Sequence, residues 1–432
     1  MSDRSAAPIH PFLAELEWRG LLQDQSEGLP DRLARGALSG YVGFDPTAPS
    51  LHVGNLIPIS DLVHLQRTGA GAPVGLVGGG TGMIGDPSGK SAERNLLDEQ
   101  TLDFNRAAIR EQLERFLDFS GSFAARVLDN REWLGRYGLL DWLREIGKHF
   151  SVSYMLSKDS VQNRLAGGIS FTEFSYMTLQ GTDFLHLHRD HGVELQMGGA
   201  DQWGNITAGL ELIRRIVGRG DGETPAAFAL SSPLLLTSGG TKFGKTEAGT
   251  VWLAPTMTSP YAFYQYWIEQ DDRDVGMMLR RLTLLGADEI YGLEEEQQRA
   301  PEARPAQRRL AWEMTARVHG ADEARRQVQV AEAVFSGEPL RDAEVLDVLF
   351  DELDGFEFGE EELRADAVGL AVASRLYPSR SEARRQIGQG GFSINDERVG
   401  AVDAPVPEPI AGRYLVLRAG RKRLVIGRRR RD

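Results

Sequence analysis

Read for alternation of apolar and polar positions, the chain divides into an α/β stretch, a run of helices and a small mixed tail. Residues 41–44 (YVGF), 74–77 (VGLV), 127–130 (VLDN) and 193–197 (VELQM) are short apolar runs that predict buried strands. Helical periodicity fills the intervals, over 12–22, 51–68, 102–119, 133–146, 171–187 and 206–217. Strand, helix, strand across 41–77 implies a parallel pair joined by a right-handed crossover. At Ser259-Pro260 a capping residue precedes a proline suited to the first helical position, and helical pattern continues to about residue 334. There Phe263, Tyr264, Tyr266 and Trp267 recur at helical spacing and read as core rather than as a base-stacking surface. Ser336-Gly337-Glu338-Pro339 is a break, and the acidic stretch 351–362 reads as a solvated linker. Beyond it Ser379 and Glu382 form a capping-box signature for a helix presenting Arg380, Arg384 and Arg385. Residues 392–399 predict one hairpin, and 414–417 with 424–426 predict another around Arg421, Lys422 and Arg423.

Composition narrows the class. A chain of 432 residues, 41% hydrophobic and 26% charged, has room for two or three globular domains. No apolar run is long enough to span a bilayer, and the opening MSDRSAAPIHPF lacks the layout of a secretory signal, so no membrane partner is expected. The absence of cysteine excludes disulfides, thiolate metal sites and a Cys nucleophile, and suits a cytoplasmic protein. Net charge is −13, yet residues 370–432 carry 14 Lys/Arg against 6 Asp/Glu, which leaves about −21 on the rest. A basic piece on an acidic body points to a polyanion, and an arginine-faced helix beside basic hairpins suits structured RNA.

Candidate chemistry clusters at strand ends. After the strand ending at Phe44, Asp45-Pro46-Thr47-Ala48-Pro49-Ser50 is turn chemistry, and a helix opens with His52-Val53-Gly54-Asn55. His52 and Asn55 lie three apart, and the helix start favours phosphate. Residues 78–94 (GGGTGMIGDPSGKSAER) contain Gly80-x-Gly82-x-x-Gly85, but Pro87 opposes a dinucleotide helix, and Ile84 occupies the first glycine position of a P-loop ending Gly89-Lys90-Ser91. What remains is a glycine-rich loop able to approach a ligand, with Asp86 on its rim. Tyr176, Gln180 and Asp183 share one helical face, a polar stripe that is either solvated or lines a site. His186, His188 and His191 lack metal-site spacing and read as a solvated surface turn. Asp201 and Gln202 follow another strand, facing the same crevice as Asp45. In 237–250 (TSGGTKFGKTEAGT), Lys242 and Lys245 sit among glycines, as a basic hairpin or a mobile phosphate grip. A dinucleotide-dependent oxidoreductase and a non-catalytic RNA-binding protein remain the alternatives from these residues alone.

Together these stretches resemble the bacterial tyrosyl-tRNA synthetase family, within the class I synthetases. Its paired His-Ile-Gly-His-like and Lys-Met-Ser-Lys-Ser-like motifs match His52-Val53-Gly54-Asn55 and Lys242-Phe243-Gly244-Lys245-Thr246. YVGFDPTAPSLH, LVGGGTGMIGDPSGK, GKHFSVSYM, ISFTEFSYMTLQGTDF and GGADQWGNITAG are similar to the family's own blocks, and the basic tail to an RNA-binding domain of a ribosomal small-subunit protein. The resemblance implies a Rossmann-like parallel-sheet catalytic domain (1–236), a lysine loop with an α-helical domain (237–335), a linker (336–364) and a small α+β RNA-binding module (365–432). It implies a cytoplasmic homodimer that activates L-tyrosine with ATP and Mg²⁺, without a protein-bound metal, and transfers it to its tRNA. On the matching positions His52, Asn55, Lys242, Lys245 and Thr246 would hold the triphosphate. Tyr41 and Asp183 would bind the phenol oxygen, and Asp86, Tyr176 and Gln180 the ammonium group, with Gln202 in the same pocket. Gly43, Asp45, Thr47, Gly54, Gly199 and Asp201, with Lys245, would line the nucleotide crevice. Lys90, Arg94, Arg380, Arg384, Arg385, Arg421, Lys422 and Arg423 would contact RNA. Asn55 replaces the motif's second His, and Gly244 and Thr246 replace serines of the generic loop. No insertion is large enough for an editing domain, which suits a site that selects by bonding a hydroxyl; a tyrosyl-tRNA synthetase is itself the standard illustration of that rule.

Overall fold

The computed structural model describes residues 9–88, 97–165, 167–218, 226–240, 243–246, 249–336, 338–353, 355–420 and 423–430, giving the backbone alone at Lys245, Thr246 and Phe335. They form two compact units, residues 1–258 with 268–310, and residues 259–267 with 311–432.

The first unit is built on a six-stranded sheet. Its strands are β1 (Asp24–Gln25), β2 (Leu38–Phe44), β3 (Gly71–Val77), β4 (Arg126–Asp129), β5 (Val193–Gly199) and β6 (Phe228–Ser232), in the order β1-β6-β5-β2-β3-β4. All neighbours are parallel except β1 with β6. The chain runs outward from β2 through β3 to β4, then returns to place β5 on the other side of β2. Strand order therefore reverses between β2 and β5, and the crevice beyond their carboxyl ends is where such sheets bind ligands.

Helices cover the sheet as the apolar periodicity requires. α1 (Leu56–Arg67) crosses from β2 to β3 and buries nine of its twelve residues. α2 (Glu99–Glu114) packs through Leu102, Ile109 and Leu113, with Asp98 as its cap. The periodicity over 133–146 resolves into two short helices, α3 (Arg131–Leu134) and Leu139–Glu145, because Gly135 and Gly138 interrupt it. α4 (Phe171–His191) and α5 (Trp203–Ile216) pack against each other, and α5 starts three residues before the apolar pattern shows it. Tyr41, Val74, Leu76, Phe184, Leu187, Val193 and Leu212 belong to one buried cluster. The helices of 268–310 join this unit, where buried Arg19 donates to the carbonyls of Arg280, Thr283 and Leu285.

In the second unit, Phe263, Tyr264 and Trp267 are buried, which gives the core reading of those aromatics. Its sheet runs β11 (Glu397–Arg398), β10 (Phe392–Ile394), β12 (Tyr414–Ala419), β13 (Arg423–Arg429) and β9 (Phe356–Phe358). The acidic stretch read as linker is built into this fold. Phe356 and Phe358 alternate with Glu357, so the apolar side chains turn inward, Phe358 is fully buried, and β9 pairs in parallel with β13. Helix Ala343–Glu352 likewise buries Leu346, Leu349 and Phe350 in a cluster with Tyr414, Val416 and Ile426. No described helix is long and apolar enough to cross a membrane.

Candidate active site

Two backbone stitches bring the paired motifs together. Val53 N–H donates to Val251 O at 3.1 Å, and Leu253 N–H donates to Leu51 O at 2.8 Å, with His52 and Trp252 in an antiparallel bridge between them. Val251 N–H also donates to Gly244 O at 3.0 Å. The segment carrying the second motif is thus held against the turn carrying the first. Gly244 makes this approach possible. Its φ is +83°, and a Cβ there would lie 2.6 Å from Val53 Cγ2, so the serine of the generic motif would not fit this backbone. Lys245 and Thr246 form a two-residue strand paired with Gly249–Thr250, the hairpin expected there. Lys242 lies outside the described residues.

The first motif is a self-capped turn. His52 Nδ1 accepts from Gly54 N–H at 3.0 Å, and Asn55 Oδ1 accepts from His52 N–H at 3.0 Å. A Cβ on Gly54 would stand 2.8 Å from the imidazole, so only glycine lets the ring fold back. Asn55 thereby spends its oxygen on the cap and keeps its amide as a donor. A histidine could not serve the cap in the same way while charged.

Below the motifs, β2, the end of β4 and one face of α4 bring a second polar group together. Tyr41 is 1% exposed, packs its ring 5.4 Å from Phe184, and buries a hydroxyl that has no hydrogen-bond partner among the described residues. Gln196, its register partner on β5, buries an unpartnered side-chain oxygen too. Such atoms cost stability unless something binds them, so their presence together marks a polar ligand position. Asp183 is equally buried and accepts from Asn130 Nδ2 and from Trp133 Nε1, both at 2.8 Å. Burial pushes its carboxyl up to about 8, against those two donors, and Asp45 and Asp129 add to the rise. The Tyr41 phenol is raised well above its usual range by burial and then by the charge of Asp183.

A continuous hydrogen-bond chain joins this end to the crevice. Asn130 accepts from Gly80 N–H at 2.7 Å and donates to Thr81 Oγ1 at 2.9 Å as well as to Asp183. Thr81 then donates to Asp45 Oδ1, and Tyr176 to Asp45 Oδ2, both at 2.8 Å. Both amide hydrogens and the oxygen of Asn130 are used, which fixes its orientation. Gln202 donates to Asp86 Oδ2 at 2.7 Å, and Asn205 donates to Gln180 Oε1 at 3.1 Å. Tyr176 is raised well above its usual range by burial first, then by Asp45 and Asp86, with Asp183 also acting on it. Asp45 and Asp86 thus both act on the Tyr176 hydroxyl, a field that favours a cation. Gly43 is the exposed position of β2, with open space where a Cβ would be, and Thr47 in the following turn is exposed. Across the switch point Asp201 follows β5, its carboxylate 2.8 Å from where a Gly199 Cβ would sit.

The basic tail is more neutralised than its sequence suggests. Arg380 pairs with Asp366 at 3.2 Å and Arg385 with Glu382 at 3.3 Å, while Arg428, Arg429 and Arg430 pair with Asp347, Glu360 and Glu362. Arg384 and Arg423 are exposed and make no ion pair among the described residues. Lys90, Arg94, Arg421 and Lys422 lie outside the described residues.

Sequence reasoning missed Thr81, Asn130, Trp133 and Asn205. A signal for Asn130 existed, because it follows β4 as Asp45 follows β2. The histidine cluster is not a solvated turn but the last two turns of α4, with His186 stacked on Trp133 and His188 Nδ1 bonded to Val193 O at 2.9 Å.

Two family descriptions match the chain. "tRNA synthetases class I (W and Y)" covers residues 34–336, and "Tyrosine--tRNA ligase SYY-like C-terminal domain" covers residues 346–426. The tyrosine–tRNA ligase of Anaeromyxobacter dehalogenans is 51% identical over 416 residues, which is 95% of this chain and 97% of that one. That of Bacillus caldotenax is 47% identical over 421 residues, 95% and 98% of the two chains. Among solved structures, a C-terminally truncated mitochondrial tyrosyl-tRNA synthetase of Aspergillus nidulans superposes with a TM-score of 0.67 at 29% identity, covering 77% of this chain and 95% of that one. A Plasmodium falciparum tryptophanyl-tRNA synthetase shares the fold, with a TM-score of 0.51 at 13% identity, covering 77% and 86%. With both motifs stitched together at the switch point of the sheet, and relatives about half identical along nearly the whole length, the chain belongs to the tyrosine–tRNA ligase family of class I tRNA synthetases.

Proposed function

We propose that the chain performs its family's reaction, the ATP-dependent joining of L-tyrosine to tRNA, with the residues of the crevice in the following roles. Tyrosine enters with its phenol oxygen between Tyr41 and Asp183 and its ammonium group among Asp86, Tyr176 and Gln180, with Gln202 holding Asp86. Its carboxylate oxygen attacks the α-phosphorus of ATP; an O–P bond forms, and the bond to the bridging oxygen breaks as pyrophosphate leaves. The nucleophile is already ionised, so no general base is needed, and rate comes from alignment and charge stabilisation. His52 and Asn55, with Lys242, Lys245 and Thr246, receive the charge that accumulates on the leaving group. Gly43, Asp45, Thr47, Gly54, Gly199 and Asp201 border the nucleotide, the glycines letting it lie close to the backbone. Mg²⁺ enters with ATP and neutralises phosphate charge. A ribose hydroxyl at the 3′ end of tRNA then attacks the tyrosyl carbonyl carbon, and AMP leaves with the bonding pair.

The observation that carries this reading is the unpartnered hydroxyl of Tyr41, buried where the charge of Asp183 reaches it. A tryptophan or phenylalanine side chain would leave the Tyr41 hydroxyl stranded. The test is amino-acid-dependent ATP–pyrophosphate exchange across all twenty amino acids. Exchange with tyrosine alone is expected; exchange that ignores the phenol would end the assignment.

The same reading includes a homodimer, a tRNA grip and a cytoplasmic location. Leu139, Leu140 and Leu143 on one helix, with Val152 and Phe171 nearby in sequence, are large apolar side chains exposed to solvent, as a surface covered by a second copy would be. Sedimentation at micromolar concentration tests it, and a monomer would refute it. Arg384 and Arg423, with Arg380, Arg385, Arg421, Lys422, Lys90 and Arg94, are assigned to the RNA backbone. A tRNA affinity that falls steeply with salt is the expected signature.

A further inference from the structure

Of the two donors that hold Asp183, Asn130 is fixed by its own full set of hydrogen bonds, whereas Trp133 is not. It sits on α3, a helix of four residues, too short for its backbone to hold a side chain firmly. The indole is buried in the apolar cluster of Tyr41, Ile146 and Leu185, and within it a stack sets the plane of the ring. Its ring lies 4.4 Å from that of His186, with the planes 25° apart. His191 closes the group, 6.2 Å from Trp133 and 5.5 Å from His186 in an edge-on arrangement. His186 is held in turn by Asp190, Nδ1 to Oδ2 at 2.7 Å. The spacing explains why one indole serves both neighbours. Asp183 and His186 are three apart on α4 and share a face, so the edge N–H meets the carboxylate while the ring face meets the imidazole.

We infer that His186 is a positioning residue for tyrosine selection: by fixing the plane of Trp133 it holds the indole N–H on Asp183 Oδ1, and so aims that carboxyl at the phenol. The inference rests on the assignment of Asp183 to the phenol oxygen. Without the stack, the buried indole can tilt within its cluster and draw its N–H off Asp183. Asp183 then keeps only Asn130 to oppose its burial, and the hydrogen bond that separates tyrosine from phenylalanine loses its fixed geometry. On the nucleotide side of the crevice Asp45 keeps both of its own donors, Thr81 and Tyr176. No group of three His, Cys, Asp or Glu able to hold an ion occurs among the described residues.

The experiment compares the full-length chain with Asp183→Asn, His186→Ala, His186→Phe and Trp133→Phe, using pyrophosphate exchange driven by tyrosine and by phenylalanine. For His186→Ala, KM for tyrosine should rise about three- to tenfold with kcat little changed, the loss expected from one aromatic pair, and the tyrosine-over-phenylalanine ratio should fall in step. Trp133→Phe should move the same two quantities, since it keeps a ring and removes the N–H. His186→Phe should restore them, because a phenyl ring can stack where a methyl group cannot. A general loss of folding would lower kcat and the thermal midpoint instead, and the phenylalanine variant would give no selective rescue. If Asp183→Asn abolishes the ratio while His186→Ala leaves it intact, the inference fails and the phenol assignment stands. If Asp183→Asn keeps the ratio, the phenol assignment itself is lost.

Discussion

Asp61 gives the sharpest test of how the helix carrying the His52–Asn55 turn is held. It lies on α1, fully buried, and both of its oxygens face Ser232 Oγ at 2.8 Å. Burial pushes its carboxyl from 3.8 to about 8, with Ser232 opposing the rise. The native state therefore binds a proton that the unfolded state releases, so stability is lost as pH rises from the unfolded value toward the folded one. Asp61→Asn preserves shape and a hydrogen-bond acceptor for Ser232 while removing the titration. Relative to wild type, the variant should gain about 2–3 kcal/mol between pH 5 and pH 7, and the gain should level off above about pH 8. In thermal scans the difference between the two midpoints should widen by about 3–5 °C across that interval. Other titrating groups are common to both proteins and cancel in the difference. A midpoint difference that stays constant from pH 5 to pH 8 would show that Asp61 is ionised in the native state, and the account of α1 would fail.

Four further outcomes follow from the geometry. Tyr41→Phe removes a stranded hydroxyl, so the unliganded protein should gain about 1 kcal/mol in denaturant unfolding while tyrosine affinity falls in equilibrium dialysis; a simultaneous loss of both would contradict the orphan reading. Gly244→Ala places a methyl group against Val53 at a positive φ, and should cost about 1–3 kcal/mol locally while depressing pyrophosphate exchange, with tyrosine affinity retained; unchanged exchange would mean the motifs need not touch. Deleting residues 341–432 should leave tyrosyl-adenylate formation intact and weaken tRNA binding in filter assays. Deletion from Leu370 onward should instead aggregate, because it removes the partners of Phe350 and Phe358; a soluble, well-folded product would overturn the account of β9.

Much of the site was legible because α/β sheets place ligands at strand ends. Asp45 after β2 and Asp201 after β5 could be read from apolar runs followed by turn residues, and the topology then placed both strands side by side at the switch point. Tyr176, Gln180 and Asp183 shared a face by helical spacing alone, and each meets a partner from another element. Asn130, Trp133 and Thr81 escaped notice because no periodicity ties them to the residues they serve. Asn130 reaches Asp183 across 53 positions of sequence and Thr81 across 49. The acidic stretch 351–362 was misread for a related reason: its charge count dominates a local window, while Phe356 and Phe358 are recognised as strand only when β13 supplies the other half of the ladder.

The sequence by itself determined the class of fold, the paired motifs and the polar residues that follow the strands or share one face of α4, because strand and helix periods and turn chemistry are local properties. Only the tertiary structure decided that Val251–Leu253 would hydrogen-bond to Leu51–Val53, that the hydroxyl of Tyr41 would be left without a partner, and that Trp133 would rest on a histidine while bonding a buried carboxyl. Those outcomes depend on which surfaces close over which polar atoms. That is fixed by packing between segments far apart in the chain, where burial turns an ordinary side chain into one that must find a partner.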